Sequence, residues 1–352
     1  MKLTKNNETF SPQISNENSF DFLRLFFAFS VFVAHFGVVT SYKIYFPVSA
    51  TMAVAGFFII SGFLITRSYY RSKNLIDFSL KRIRRIVPAY FLVVILCAVL
   101  LFFVSSLSFG DYFMSKHFFK YLIANSLFVN FVEPTLPGVF TENFCPQLVN
   151  GSLWTIKVEL ALYATVPFIA ILLKKKKLLA LLGIYLLSFV FSYTMFWIAE
   201  KYNNELFIML QRQFVGQLKF FISGVILLFY FDFIIEKYDK IFFPVAAIIF
   251  LLRYFVSFWV IEFFYPIAFA IIIVWCAYKF KKLAIFTRAG DFSYGFYLFH
   301  FPIIQIFMYL GWFKDSPVLL FIVCFLTVYC LSGISWHLLE KRILRRKPTN
   351  LS

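Results

Sequence analysis

Residues Phe20–Val39 read F-D-F-L-R-L-F-F-A-F-S-V-F-V-A-H-F-G-V-V, and this apolar run decides the fold. A helix of about 20 such residues, rising about 1.5 Å per residue, crosses the hydrocarbon core of a bilayer. A second run of this kind, Leu153–Leu173, contains Glu159 as the first contains His35. An ionisable side chain at membrane depth is costly unless it faces a polar cavity, so both residues indicate a catalytic or transport site.

The composition places the chain among polytopic membrane proteins. Of its 352 residues, 61% are hydrophobic and only 14% are charged, whereas a soluble domain carries about a quarter charged side chains. The net charge of +17 does not indicate nucleic acid, because the basic residues cluster between the apolar runs, as cytoplasmic loops do. We therefore predict an all-α integral membrane protein.

Ten transmembrane helices are predicted from apolar runs of about 20 residues. Their bounds are 20–41, 48–68, 88–107, 152–173, 178–198, 214–231, 241–257, 259–279, 292–311 and 317–338. Pro88 is interpreted as the start of the third helix. Arg253 and Glu262 interrupt the seventh and eighth runs, which can instead form one re-entrant pair.

The basic clusters determine the predicted orientation. With ten spans they all fall on one side of the membrane, which the positive-inside tendency identifies as the cytoplasm, and both termini lie there. The clusters are Lys2–Lys5, Arg67–Arg85, Lys174–Lys177, Lys237–Lys240, Lys279–Arg288 and Lys341–Lys347.

Three regions follow from this topology: a polar cytoplasmic tail 1–19, a transmembrane domain 20–338 and a basic cytoplasmic tail 339–352. One long segment, 108–151, lies on the side opposite the basic clusters. Its apolar stretch Phe118–Val132 is too short for a span, so we expect an interfacial or re-entrant piece. The first span is expected to be retained as an anchor rather than cleaved as a signal peptide.

His35 and Glu159 are predicted to lie at similar depths. Counted at the helical rise, each is about 9–10 Å from the outer boundary of its span. If the two spans are neighbours, a neutral imidazole can take a proton from a hydroxyl group and the carboxylate can hold the resulting imidazolium. The alternative is that they are independent polar groups, each satisfied by local hydroxyls or water.

Several arginines lie closer to the cytoplasmic side. Arg24, three helical turns before His35, either extends to the headgroups or faces a pore and holds an anionic group such as a phosphate. The same two interpretations apply to the basic surface formed by Arg67, Arg82, Arg84 and Arg85. This surface can attract anionic lipid or bind the phosphates of a nucleotide-bearing donor.

Five segments follow one another over almost the whole chain. Phe20–Phe36 holds Arg24 and His35 with ten residues between them. The others are G-F-F-I-I-S-G-F-L-I-T at 56–66, followed by the basic run and Pro88, Ala89 and Tyr90; N-G-S-L-W-T-I-K-V-E-L-A-L-Y-A-T-V-P at 150–167; S-Y-G-F-Y-L-F-H-F-P at 293–302; and Glu340 with Lys341. Together they resemble the membrane-bound acyltransferase family 3, the O-antigen and exopolysaccharide O-acyltransferases. We expect no C-terminal esterase-like (SGNH) domain of the kind that many members carry.

The resemblance implies a multi-pass O-acyltransferase of the bacterial inner membrane. Such an enzyme moves an acyl group, usually acetyl, from cytoplasmic acyl-CoA to a hydroxyl of a cell-surface or lipid-linked saccharide. Acetyl-CoA is then a co-substrate, and no bound cofactor or metal is expected. His35 acts either as general base on the sugar hydroxyl or as an acyl-histidine relay, and Glu159 orients or charge-balances the imidazole.

The resemblance also implies roles for the remaining residues of the five segments. Ser152, Trp154 and Tyr163 are expected on the acceptor side, although an interfacial Trp is also ordinary in membrane proteins. His300 either lines the donor tunnel or hydrogen-bonds a neighbouring helix. The expected donor-side set is Arg24, Arg67, Arg82, Arg84, Arg85, Ser293, Tyr294 and His300.

A second class of function competes with the enzyme. In a transporter or flippase for a saccharide or anionic substrate, the same charges line a path and no covalent chemistry occurs. In either class the expected partners are the lipid bilayer and a saccharide, with acyl-CoA added for the enzyme and no nucleic acid. The acceptor sugar, the acyl group and the oligomeric state leave no trace in the sequence.

Overall fold

The computed structural model of the chain describes residues 14–145, 147–256 and 258–345, apart from the side chains of 174–177. Most of the predicted N-terminal tail, the last residues of the C-terminal tail and Pro146 therefore lie outside the described residues. The chain is 78% helical, and the predicted all-α class is confirmed.

Thirteen α-helices are numbered in chain order within the described part of the chain. They are α1 Phe20–Thr40, α2 Ala50–Tyr70, α3 Leu75–Leu100, α4 Phe109–Phe113, α5 Lys116–Ser126, α6 Trp154–Tyr202, α7 Glu205–Gln211, α8 Phe214–Phe229, α9 Asp239–Leu252, α10 Trp259–Lys279, α11 Ser293–Leu310, α12 Pro317–Ser335 and α13 Lys341–Arg345. Shorter 3₁₀ turns occupy Leu101–Val104, Asn130–Val132 and Lys281–Thr287, and π-turns occupy Asp232–Lys237 and Trp336–Glu340.

Eight helical segments among the described residues are long and apolar enough to cross a membrane: Phe20–Thr40, Ala50–Tyr70, Leu75–Val104, Trp154–Leu173, Leu178–Tyr202, Glu205–Phe229, Trp259–Lys279 and Pro317–Arg345. The multi-pass prediction is confirmed, but the count of ten is not. The predicted seventh span is the 14-residue α9, which is too short, and the ninth is α11, which carries His300 and Gln305.

The third helix begins well before the predicted residue 88. Asn74 accepts a hydrogen bond from the backbone N–H of Asp77 at 2.8 Å and caps the helix, as Asn commonly does. Pro88 is therefore inside α3 rather than at its start. Arg82, Arg84 and Arg85 consequently lie on helical turns and not in a loop.

Helix α6 carries two successive candidate spans within one helical run. A straight helix would separate Glu159 from Ser188 by about 43 Å. Instead Glu159 contacts Ser61 of α2, while Ser188 contacts the backbone of Lys219 on α8 at 2.8 Å, and α2 meets α8 at Gly62 and Phe221. These contacts lie closer together than a straight helix allows, so the run is bent between Glu159 and Ser188.

The chain divides into two compact units. Unit 1 comprises residues up to Leu23 with Val54–Phe78 and Val158–Phe286, and unit 2 comprises Arg24–Ala53, Ser79–Lys157 and residues from Thr287 onward.

Close backbone contact between α2 and α8 organises unit 1. A Cβ added to Gly62 would lie 1.9 Å from the carbonyl oxygen of Phe221, and one added to Gly224 would lie 2.0 Å from that of Ile59. Small residues permit this approach where helices meet in a membrane. The end of the N-terminal tail also belongs to this unit, because the Ser19 N–H donates to the Ala277 carbonyl at 2.9 Å.

Buried amide side chains hold the segment after α5 against α11 in unit 2. Asn150 donates to the Leu298 carbonyl at 2.9 Å. Gln305, which is fully buried, donates to the carbonyls of Cys145 at 2.7 Å and Leu148 at 2.9 Å and accepts from Asn143 at 2.7 Å. These bonds fix the chain immediately before α6.

The predicted outer segment has a local polar centre at Glu133. Its buried carboxylate accepts from Thr135 at 2.7 Å and lies 3.1 Å from Lys120 and 3.4 Å from His117. Burial alone would raise the pKa of this carboxyl, but the three partners hold the pKa below its usual value. The apolar stretch predicted as interfacial contains most of α5, which at 11 residues is too short to span a bilayer.

Candidate active site

His35 forms a hydrogen-bonded pair with His300 in unit 2. Its Nδ1 atom lies 2.7 Å from Nε2 of His300. The ring planes differ by 11° with centroids 5.0 Å apart, so the rings meet edge to edge and almost coplanar. The ring of Phe301 packs at 83° to His35 with centroids 5.3 Å apart. Helices α1 and α11 thus bring together two histidines that are 265 residues apart in sequence.

The two histidines differ in their access to the surroundings. His300 is fully buried, whereas His35 is half-buried. Within the described residues, Nδ1 of His300 is buried without a hydrogen-bond partner. The backbone carbonyls of Phe296 and Tyr297, one turn earlier on α11, interact with the ring without completing a hydrogen bond to it. His35 is therefore the member of the pair with exposed surface.

Glu159 has its own hydroxyl partners in unit 1. Tyr163, one turn further along α6, donates to Oε1 of Glu159, and Ser61 of α2 donates to the same oxygen at 3.4 Å. The two hydroxyl oxygens are 3.5 Å apart. A half-buried carboxylate is thus held by two hydroxyl groups. Glu159 and His35 belong to different units, and the predicted contact between them stays a prediction.

A buried ion cluster joins four elements of unit 2 at residues that the sequence places on the cytoplasmic side. Asp291 lies 3.4 Å from Arg24 and also pairs with Arg85, which reaches Glu340 at 3.5 Å. Ser293 donates to Asp291 at 2.5 Å. Burial alone would raise the pKa of Asp291, but Arg85 and Arg24 together hold it below its usual value. The formal charges of the two arginines and two carboxylates balance.

Aromatic side chains complete the surroundings of Arg85. Its guanidinium lies 5.6 Å from the ring centroid of Tyr294 and 5.7 Å from that of Trp336. The Tyr294 hydroxyl donates to the Ile86 carbonyl at 2.9 Å, which links α11 to α3. A Cβ added to Gly290, whose φ is +151°, would lie 2.0 Å from Nε1 of Trp336. Only glycine fits this position.

Arg67 holds the N-terminal segment of unit 1. Its guanidinium donates to the carbonyl of Ile14 and to Oδ1 of Asn16 at 3.2 Å. Arg67 is 9% exposed, so most of its surface is covered by the chain itself. Arg82 and Arg84 lie on α3 in unit 2 and are half-buried.

The predicted acceptor residues are placed differently from one another. Ser152 is fully buried and its hydroxyl donates to Oδ1 of Asn150 at 2.6 Å. Trp154 is half-buried at the first residue of α6. Tyr163 contacts Glu159, as described above.

Comparison with known proteins identifies the family of the chain. The sequence profile of a family described as an acyltransferase domain, acyltransferase 3, matches residues 17–337. The chain belongs to this acyltransferase family. The match covers all five segments except the last, Glu340 with Lys341.

Two relatives align over nearly their whole length with this acyltransferase. An O-acetyl transferase of Shigella phage Sf6 is 27% identical over 350 residues, covering 95% of this chain and 98% of the relative. Nodulation protein 10 of Rhizobium leguminosarum bv. viciae is 25% identical over 365 residues, covering 95% of each chain. No solved structure matches the chain significantly.

Two ionisable residues of this acyltransferase were missed by the sequence reasoning. Asp291 stands two residues before the Ser293 segment, between a basic loop and an apolar run, and a lone acid there was a visible signal. Lys219 interrupts the predicted sixth span. It donates to Ser192 at 2.7 Å and lies 5.4 Å from the ring centroid of Phe220.

Proposed function

We propose that this acyltransferase moves an acyl group, with acetyl as the first candidate, from cytoplasmic acyl-CoA to a hydroxyl of a cell-surface or lipid-linked saccharide. The O-acetyl transferase of Shigella phage Sf6 supports acetyl transfer to oxygen. The observation that carries the proposal is His35, a half-buried imidazole on an apolar helix, held by a hydrogen bond from its Nδ1 side. Since acyl-CoA is cytoplasmic and the relatives come from a bacterium and a bacteriophage, we place the protein in the bacterial inner membrane.

The proposed reaction uses His35 as a general base. Nε2 of His35 takes the proton of the saccharide hydroxyl while its oxygen attacks the thioester carbonyl. The carbon–sulfur bond then breaks, and the imidazolium returns the proton to the departing CoA thiolate. In the alternative relay, Nε2 of His35 attacks the thioester first and the saccharide hydroxyl then takes the acyl group from the imidazole. We favour the direct reaction because it needs no covalent enzyme intermediate.

Glu159 is proposed to orient or charge-balance His35 during this reaction. Trp154, Tyr163 and Ser152 are proposed on the acceptor side. The hydroxyl of Ser152 donates to Asn150. Ser152 is therefore proposed to act by holding the backbone of the loop before α6 in place.

The donor phosphates are proposed to bind the basic residues of α3, Arg82 and Arg84, together with Arg24, Arg67 and Arg85. A guanidinium offers five N–H donors, so Arg85 can hold Asp291 and still meet a phosphate. Any anion bound by Arg24 or Arg85 competes with Asp291 for the same positive charge. Ser293 and Tyr294 then act by fixing Asp291 and α3, and His300 acts through His35.

The proposal is tested by the acyl content of the surface polysaccharide. A deletion strain is complemented with the wild type, with His35→Ala or with His337→Ala, which changes an exposed histidine outside the pair. We expect the wild type and His337→Ala to restore ester-linked acyl groups and His35→Ala to leave them absent at equal expression. Unchanged acylation with lost polysaccharide export would instead favour the transporter.

A further inference from the structure

We propose that His300 is a positioning residue that fixes the tautomer of His35, with the proton on Nδ1 and the lone pair on Nε2. The inference deepens the proposed function, because only that tautomer lets Nε2 of His35 accept the proton of an attacking hydroxyl. In this proposal His300 sets the protonation of the general base His35. From the sequence alone, His300 is expected either to line the donor tunnel or to hydrogen-bond a neighbouring helix.

The hydrogen bond between the rings needs a single proton. Nδ1 of His35 and Nε2 of His300 are 2.7 Å apart, so one nitrogen carries the hydrogen and the other presents a lone pair. A neutral imidazole carries one proton in total. The tautomer of one ring therefore determines the tautomer of the other.

The surroundings of His300 decide between the two arrangements. If His300 carried its proton on Nε2, the lone pair of Nδ1 would face the carbonyl oxygens of Phe296 and Tyr297 in a fully buried place. With the proton on Nδ1, an N–H faces those oxygens instead, although the geometry is short of a hydrogen bond. A buried lone pair facing other lone pairs is the costlier state. His300 thus presents the lone pair of Nε2 to His35.

The tautomer of His300 determines the tautomer of His35. His35 then donates its Nδ1–H to His300, and its Nε2 carries the lone pair. No described residue hydrogen-bonds Nε2 of His35, so its lone pair is uncommitted within the described chain. When Nε2 takes the hydroxyl proton, the Nδ1–H of the imidazolium keeps its acceptor in neutral His300. The hydrogen bond from Nδ1 of His35 to His300 is therefore present both before and during proton transfer.

The direct test is nitrogen NMR of the histidine rings in lipid nanodiscs. The chain has four histidines, so a ¹⁵N-histidine-labelled sample gives few signals, and the His35 signals are assigned by their loss in His35→Asn. We expect a protonated Nδ1 and an unprotonated Nε2 for His35 above pH 7.5. A wild-type His35 protonated on Nε2 would overturn the proposal. This readout needs no activity, so it stands even if the proposed reaction is wrong.

Variants separate positioning from packing. In His300→Gln the terminal amide oxygen can accept from Nδ1 of His35, whereas His300→Leu fills the space without an acceptor. We expect His300→Gln to keep kcat within about tenfold and His300→Leu to lose about 100-fold or more at unchanged KM, the range contributed by a general base. His300→Leu should also shift the His35 signals toward protonated Nε2. Equal rates for the two variants, or an unchanged tautomer in His300→Leu, would refute the positioning role.

Discussion

Removal of the Asp291 carboxylate is expected to destabilise unit 2 strongly. Asp291→Asn removes the negative charge that both Arg24 and Arg85 contact. Breaking a buried ion pair by deleting one partner costs about 3–5 kcal/mol. Asp291 is 10% exposed while Arg24 and Arg85 are 22% and 20% exposed, so partial screening by water reduces our expectation to about 2–4 kcal/mol.

The assay is reversible unfolding in mixed micelles with increasing SDS, followed by circular dichroism. The matched control is Glu262→Gln, which makes the same chemical change in an ion pair with Arg253 at 2.7 Å whose side chains are 38% and 36% exposed. An exposed pair of this kind contributes less than about 1 kcal/mol. The double variant Asp291→Asn with Arg24→Gln restores neutrality and should recover part of the loss. Equal effects of Asp291→Asn and Glu262→Gln, or no recovery in the double variant, would refute the reasoning.

Three further outcomes follow from single contacts. Gly62→Ala forces a Cβ against the Phe221 carbonyl and should cost at least about 1–3 kcal/mol of unfolding free energy, whereas Gly183→Ala, with nothing within 4 Å, should be neutral or slightly stabilising in the same SDS titration. Glu133 has a pKa below its ordinary 4.5, so its stabilisation is full above pH 4.5 and is lost as the pH falls through the lower folded pKa. The Tm gap between wild type and Glu133→Gln should be present at pH 6 and should shrink as the pH falls below 4.5; a constant gap would contradict this. Gln305→Leu leaves the Cys145 and Leu148 carbonyls without their donor and should cost about 2–4 kcal/mol, with faster proteolysis of the segment before α6. Unchanged proteolysis would show that these bonds do not hold the segment.

Apolar periodicity and length were sufficient to predict the membrane helices, because a bilayer crossing demands about 20 apolar residues whatever they pack against. The same reasoning placed the start of α3 at Pro88, because the basic turns before it are amphipathic rather than apolar. It also counted α11 as an ordinary span, although this helix carries the buried polar residues His300 and Gln305. The ends of helices depend on capping residues such as Asn74, and a search for apolar runs does not detect such caps.

The ionisable residues were visible in the sequence, but their partners were not. An ionisable group inside an apolar run is costly to bury in a membrane and therefore indicates a functional site. His35 and Glu159 were identified in this way. The contact of His35 with His300 joins positions 265 residues apart, and nothing in the spacing of either helix specifies it. The pairing of Arg24 and Arg85 with Asp291 joins residues far apart in sequence, so the lone acid was visible but its two partners were not.

Transfer of labelled acetyl by purified protein tests the central claim most directly. The protein is reconstituted in proteoliposomes with [¹⁴C]acetyl-CoA and a deacylated surface saccharide from the deletion strain. The account predicts that the wild type and His337→Ala place label on the saccharide as a base-labile ester, and that His35→Ala does so at least about 100-fold more slowly. Transfer by His35→Ala at the wild-type rate would contradict it.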